Sequence, residues 1–191
     1  MVATLRESAL SSTMLGTGDR APDFELPSIS GEKVSLAERL QGGPAVVTFY
    51  RGGWCSFCNL ELRAYERIYT EFEKVGASLL AISPERPDHG VSTAESNGLS
   101  FDVLSDDDNR IARLFGLVFE LPPAVIAYSK DKNVDLTEIN GADRWELPVP
   151  ATYVIDRDQI IVVADANPDY TVRLEPSDVL EALTSLRQPD S

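Results

Sequence analysis

The stretch Ala45-Val46-Val47-Thr48-Phe49-Tyr50-Arg51-Gly52-Gly53-Trp54-Cys55-Ser56-Phe57-Cys58 decides how this chain folds. Its first six residues are largely β-branched or aromatic and follow Gly42-Gly43-Pro44, the text of a buried strand entered through a turn. Beyond the second cysteine, Leu62, Tyr65, Tyr69, Phe72 and Val75 recur every three or four positions, with Glu, Arg and Lys between them. Gly76 supplies a stop, so the periodicity predicts an amphipathic helix over 55–75. Ser-Leu-Leu-Ala-Ile at 78–82 reads as the next strand. Strand–helix–strand text of this kind implies a parallel pair with a right-handed crossover.

Cys55 and Cys58 are the only cysteines of the 191 residues. Two cysteines placed at random in a chain this long fall three apart about 1% of the time, so the spacing is a signal in itself. C-x-x-C has three readings: half a zinc site, a redox dithiol, or a coincidence of two inert core thiols. Zinc wants four ligands, and the chain offers a single histidine, His89, so the expectation is no metal and no other cofactor. Redox chemistry fits the position better. A helix start exposes unpaired N–H groups and the positive end of the helix dipole, which favour a thiolate over a thiol. Arg51, four residues before Cys55, adds a fixed positive charge. Cys55 is therefore expected to be the more acidic and more exposed thiol, with Cys58 a turn inside. The two should close into a reversible disulfide, since adjacent turns of one helix bring the sulfurs within bonding reach. Trp54 is expected to cover the pair as an apolar neighbour.

Charge and composition narrow the class. With 17 Lys+Arg against 31 Asp+Glu the net charge is −14, a field that repels nucleic acid and anionic lipid. Hydrophobic residues make up 43% of the chain, as in an ordinary soluble domain. No apolar run approaches the ~20 residues needed to span a bilayer, and the N-terminus has no signal-peptide pattern. The expectation is a cytoplasmic protein with neither a membrane nor a nucleic-acid partner. Residues 1–17 read as an extension and 18–188 as one domain.

Elsewhere the text is uneven. Ala21–Leu26 and Lys33–Leu36 alternate about a Ser30-Gly31 turn, a small hairpin. Helical text lies near 89–97, 108–115 and 122–130, with a short strand near 101–104. Thr152–Asp156 and Ile160–Ala164 form a second hairpin, and a last helix runs from a Ser177 cap to about Arg187. Between Gly116 and Leu147 the pattern is otherwise weak. Two tempting motifs fail on chemistry. Gly16–Ala21 fits a dinucleotide fingerprint, yet no strand precedes it and Pro22 blocks the helix that should follow. Asp106-Asp107-Asp108-Asn109 lacks the later Gly and Glu of a calcium loop and reads as the acidic start of a helix. His89, in Pro-Asp-His-Gly, reads as an exposed loop residue.

The order of elements resembles the thioredoxin fold, an α/β architecture with a central mixed sheet flanked by helices and an N-terminal β-hairpin, in its peroxiredoxin elaboration. Gly18-Asp19-Arg20-Ala21-Pro22-Asp23-Phe24-Glu25-Leu26 and Ala81-Ile82-Ser83-Pro84-Glu85 are similar to segments of the alkyl hydroperoxide reductase/thiol-specific antioxidant family. Trp54–Cys58 resembles the thioredoxin W-C-x-x-C, and Pro150–Asp156 the proline-plus-strand segment of thioredoxin-like oxidoreductases. The resemblance covers about residues 18–187. It implies an antioxidant enzyme acting on a hydroperoxide or a disulfide, reset by a thioredoxin-type reductant, with a homodimer among its assemblies. It implies Cys55 and Cys58 as catalytic residues, with Arg51, Trp54 and Pro150 in support. Two registers compete. The peroxiredoxin P-x-x-x-T-x-x-C pattern puts Arg51 at the proline, Cys55 at the threonine and Cys58 at the attacking cysteine. The thioredoxin register makes Cys55 the attacking thiol, with Gly52 or Gly53 inserted. The family's late arginine falls on Pro150, the place of the thioredoxin cis-proline, so Pro150 is expected to be cis and to face the pair. With the threonine and that arginine both absent, peroxide turnover is expected to be slow.

Overall fold

Strand β3 (Ala45–Phe49) is buried along its whole length, so both of its faces must be covered. Its alternation does this. Val47 and Phe49 enter one apolar cluster, while Val46 and, just past the strand, Tyr50 enter a second. Fully burying side chains of this size contributes roughly 1.5–3 kcal/mol each, which fixes the strand at the centre. The computed structural model describes residues 13–186.

On one side β3 pairs in parallel with β4 (Ser78–Ser83), which pairs in parallel with β5 (Asp102–Ser105). On the other it pairs antiparallel with β8 (Ala151–Ile155), which pairs antiparallel with β9 (Ile161–Ala166). The sheet order is therefore β5-β4-β3-β8-β9, a mixed five-stranded sheet. A hairpin, β1 (Glu25–Pro27) with β2 (Lys33–Ser35), precedes it, and β6 (Val118–Glu120) pairs with β7 (Glu146–Pro148) in a separate ribbon. Helix α1 (Leu36–Gly42) takes over Leu36, which the sequence places in the hairpin, because Ser35 caps the helix at Glu38 N–H.

Helix α2 (Ser56–Lys74) crosses from β3 to β4 as expected, burying Cys58, Leu62, Tyr65 and Phe72. Its partners include Val179 and Leu183 of α7 (Pro176–Ser185). That last helix begins at Glu175 with Pro176 in its first turn, not at a Ser177 cap. Proline's fixed φ suits the first helical position and moves the start earlier. Helices α3 (Pro87–Asn97), α4 (Arg110–Leu114), α5 (Pro123–Asp131) and α6 (Leu136–Asn140) fill the remaining connections. The acidic run acts as a helix start: the buried Asp106 carboxylate accepts from Ile111 and Ala112 N–H. His89 lies half-buried in the first turn of α3 rather than in an exposed loop, since Pro87 starts the helix ahead of it. Among the described residues no helix is long and apolar enough to cross a membrane. Residues 1–12 of the proposed extension lie outside the described residues.

Candidate active site

Strand β3 delivers the chain into a tight loop, Tyr50–Trp54, that ends at Cys55, the N-cap residue of α2. Two glycines make the loop possible. Gly52 has φ +137°, a conformation side chains rarely adopt, and its Cβ would meet the Trp54 ring. At Gly53 a Cβ would sit 2.1 Å from Thr93 Oγ1, so α3 and the loop touch through bare backbone. The loop is tied down on both polar edges. Gly53 N–H donates to Glu85 Oε1 at 2.8 Å, and Asn59 Nδ2 donates to the Gly53 carbonyl at 2.7 Å. Glu85 also accepts from Thr93 Oγ1 at 3.2 Å, and Asn97 Nδ2 donates to Asn59 Oδ1 at 3.0 Å. Burial raises the Glu85 carboxyl, and the Gly53 N–H and Thr93 hydroxyl pull it back. A buried carboxylate with these donors is a rigid peg for the loop rather than a spare acid.

Arg51 is brought back over the helix start, with Nη2 2.9 Å from Cys55 Sγ. Its guanidinium also lies 4.1 Å from the Tyr170 ring centroid and 5.2 Å from that of Trp54. The Cys55 thiol is held far below its ordinary value. The largest cause is the hydrogen bond from the Cys58 thiol, opposed by burial and then reinforced by the Arg51 charge and hydrogen bond. Cys58 moves the other way, well above its usual range, because it gives that hydrogen bond and is fully buried. Both cysteines are free thiols. The acidity order matches the sequence reading. The exposure order matches as well, but the margin is small: Cys55 is only 3% accessible against 0% for Cys58, because Arg51, the half-buried Trp54 and the rest of the loop fold over it.

A second guanidinium arrives from a segment the sequence did not single out. Arg173, between β9 and α7, places Nη2 3.9 Å from Cys58 Sγ and Nε 2.9 Å from Glu61 Oε2. Glu61 is buried, and burial pushes its carboxyl up to about 7 against the pull of Arg173. Glu61 had a legible signal: it stands three residues past Cys58, on the buried side of the predicted helix. Arg173 had none, since only the tertiary fold carries residues 167–175 back to α2.

Pro150 is buried at the start of β8, and in the β3–β8 register it falls one residue past the Phe49–Ala151 pair. It is trans, not cis: no cis peptide bond occurs among the described residues. Trans is the lower-energy isomer of an X–Pro bond by about 0.5–1 kcal/mol. Val149 N–H is committed to the Leu117 carbonyl at 2.8 Å, continuing the β6–β7 ribbon, so the chain runs straight from β7 into β8. Among the described residues no group of three His, Cys, Asp or Glu side chains gathers in a metal-like cluster.

A parallel strand that ends in a glycine loop, followed by an acidified thiol at the start of the crossover helix and a second thiol one turn on, is the arrangement expected of a thiol oxidoreductase of thioredoxin fold. Residues 17–164 match the AhpC/TSA family, and the chain belongs to it. A Mycobacterium tuberculosis (strain ATCC 25618 / H37Rv) protein named, provisionally, as a peroxiredoxin is 30% identical over 155 residues, which cover 81% of this chain and 87% of that one. Peroxiredoxin Bcp of Escherichia coli (strain K12) is 34% identical over 103 residues, covering 54% of this chain and 65% of its own. The crystal structure of the peroxidoxin BcpB from Mycobacterium tuberculosis superposes with a TM-score of 0.73 at 24% identity, covering 91% of this chain and 99% of that one. The fold expected from the sequence is the fold found, and the enzyme is an oxidoreductase of the peroxiredoxin family.

Proposed function

We propose that the protein is a thiol-dependent peroxidase that cycles Cys55 and Cys58 between dithiol and disulfide. The observation that carries this reading is the Arg51 guanidinium 2.9 Å from a Cys55 sulfur at the start of α2. A peroxidase of this kind needs a thiolate at neutral pH and a positive charge where the peroxide must be polarised. The Cys55 thiolate attacks one peroxide oxygen, the O–O bond breaks, and the leaving oxygen takes a proton and departs as alcohol or water. Cys55 is left as a sulfenic acid. The Cys58 sulfur then attacks the Cys55 sulfur, forming the S–S bond and expelling the hydroxyl with the thiol proton as water. The peroxide has gained two electrons and the pair of cysteines has lost two. An external dithiol, a thioredoxin-type reductant, returns two electrons and two protons by thiol–disulfide exchange and becomes a disulfide itself.

The missing threonine and late arginine are offset in part by the two guanidiniums this chain does carry, Arg51 on Cys55 and Arg173 near Cys58. Removing one donor to developing charge typically costs about 3 kcal/mol, or roughly a hundredfold in rate. Turnover that is measurable yet below that of a peroxiredoxin with the full motif is the expected behaviour. The test is NADPH oxidation by the native chain with a thioredoxin, its reductase and hydrogen peroxide. Oxidation that requires peroxide and disappears in Cys55→Ser is expected. A native chain that consumes no NADPH beyond the peroxide-free rate overturns the reading.

A further inference from the structure

One segment from beyond the last strand reaches the side chains around the dithiol. Residues 167–175 leave β9 and return to α7, and on the way they place two side chains against the two cysteines' partners. Tyr170 lies on the Arg51 guanidinium at 4.1 Å, on the cation that bonds Cys55. Arg173 is clamped to Glu61 at 2.9 Å and reaches Cys58 at 3.9 Å. On its outer side Tyr170 meets Phe57 edge-on, with ring centroids 5.8 Å apart, and Phe57 is 41% exposed. Beside this strap, Cys55 is 3% accessible and Cys58 is fully buried.

We propose that Tyr170 is a specificity-determining residue: it closes the reduced dithiol to protein disulfides while leaving it open to small hydroperoxides. This inference rests on the reading of Cys55 as the attacking thiolate, and it names the substrate class that site accepts. A hydroperoxide has only to bring one oxygen to Cys55 Sγ. To exchange with a protein disulfide, the same sulfur must line up with two sulfurs of a folded partner, whose backbone would occupy the space that Tyr170 and Phe57 hold. The strap is firmly placed. The Tyr170 ring lies on the Arg51 guanidinium, and the hydrogen-bonded Glu61–Arg173 pair holds the other end in place. Local turns stiffen it further, with Asn167 Oδ1 accepting from Asp169 N–H and Asp169 Oδ1 from Thr171 N–H. Oxidation removes the thiolate, and with it the 2.9 Å bond that holds Arg51 under the ring. The disulfide is thus the state in which Arg51 is held by one contact fewer.

The experiment compares the reduced native chain with Tyr170→Ala and Tyr170→Phe, reading alkylation of Cys55 by iodoacetamide and by a maleimide–polyethylene glycol, and reduction of insulin disulfides. For Tyr170→Ala the ratio of bulky to small reagent rates should rise about tenfold and insulin reduction should rise with it, whereas Tyr170→Phe keeps the native ratio. Phe57→Ala supplies a second variant on an exposed ring, with a smaller rise expected. An unchanged ratio in Tyr170→Ala and Phe57→Ala, or native insulin reduction as fast as that of Tyr170→Ala, overturns the role of Tyr170. Peroxide turnover of the native chain is read in parallel. If it is absent, the peroxidase reading falls as well; if it is present while discrimination is unchanged, only the role of Tyr170 falls.

Discussion

Arg51 does two jobs with one side chain. It bonds the Cys55 sulfur at 2.9 Å, and its flat face carries Tyr170. Charge-assisted hydrogen bonds contribute about 1.5–3 kcal/mol, and 1.36 kcal/mol corresponds to one pKa unit. Arg51→Met should therefore raise the Cys55 pKa by about one to two units. The native thiol, already ionised at neutral pH, should react with iodoacetamide at a rate that hardly changes from about pH 8 down to about pH 6. The variant's rate should fall across that window, because its thiolate is being protonated there. Equal pH profiles for the two would mean that the helix start and Cys58 alone set the acidity. At this scale the sequence was informative where chemistry is local. Arg51, Trp54, Cys55 and Cys58 lie within eight residues, and strand-then-helix text is enough to bring them together. It ranked the exposure of the two thiols correctly but not how closely Cys55 is covered, which depends on side chains folding back over it. It misjudged Pro150, whose bond is trans, the lower-energy isomer of an X–Pro peptide.

The loop between β3 and α2 shows how an element constrains the chemistry it carries. Asn59, Glu85, Thr93 and Asn97 peg it from α2, from the end of β4 and from α3, and Gly53 lets α3 come within touching distance. Gly53→Ala would place a methyl 2.1 Å from Thr93 Oγ1, and overpacking of this kind costs about 1–3 kcal/mol. Thermal unfolding should show a lower midpoint by several degrees, with Cys55 alkylation slowed as the loop shifts. Pairing the change with Thr93→Ser, which keeps the hydroxyl, should leave the loss in place. Thr93→Ala should recover part of it. An unaltered midpoint in Gly53→Ala would show that the contact gives way freely. The long elements were readable because each has a period to count: 45–50, 55–75, 78–82 and the hairpin at 152–164 all correspond to observed strands and helices. What escaped was short. The strands at Val118–Glu120 and Glu146–Pro148 have three residues each, and α6 has five, too few to display a period. The ribbon they build is nonetheless what steers the chain into Pro150.

For the molecule as a whole, the sheet order brings four distant pieces of chain to one end of β3: the glycine loop, the start of α2, the Glu85 turn after β4 and the strap after β9. The first three lie in the βαβ unit that the sequence announces. The fourth closes the site from beyond the last strand, and it supplies Tyr170 and Arg173, which no motif marks. The central claim is that Cys55, not Cys58, takes the oxygen. The Arg51 bond and the opposite shifts of the two thiols support it. The peroxiredoxin register, which puts Cys58 in the attacking position, makes the contrary claim. One measurement separates them: each single-cysteine variant is reduced, treated with one equivalent of hydrogen peroxide, trapped with dimedone and weighed intact. The account predicts rapid sulfenic acid formation on Cys55 in Cys58→Ser and little or none on Cys58 in Cys55→Ser. Rapid trapping on Cys58 with Cys55 left unmodified would contradict it and reverse the roles of the two thiols.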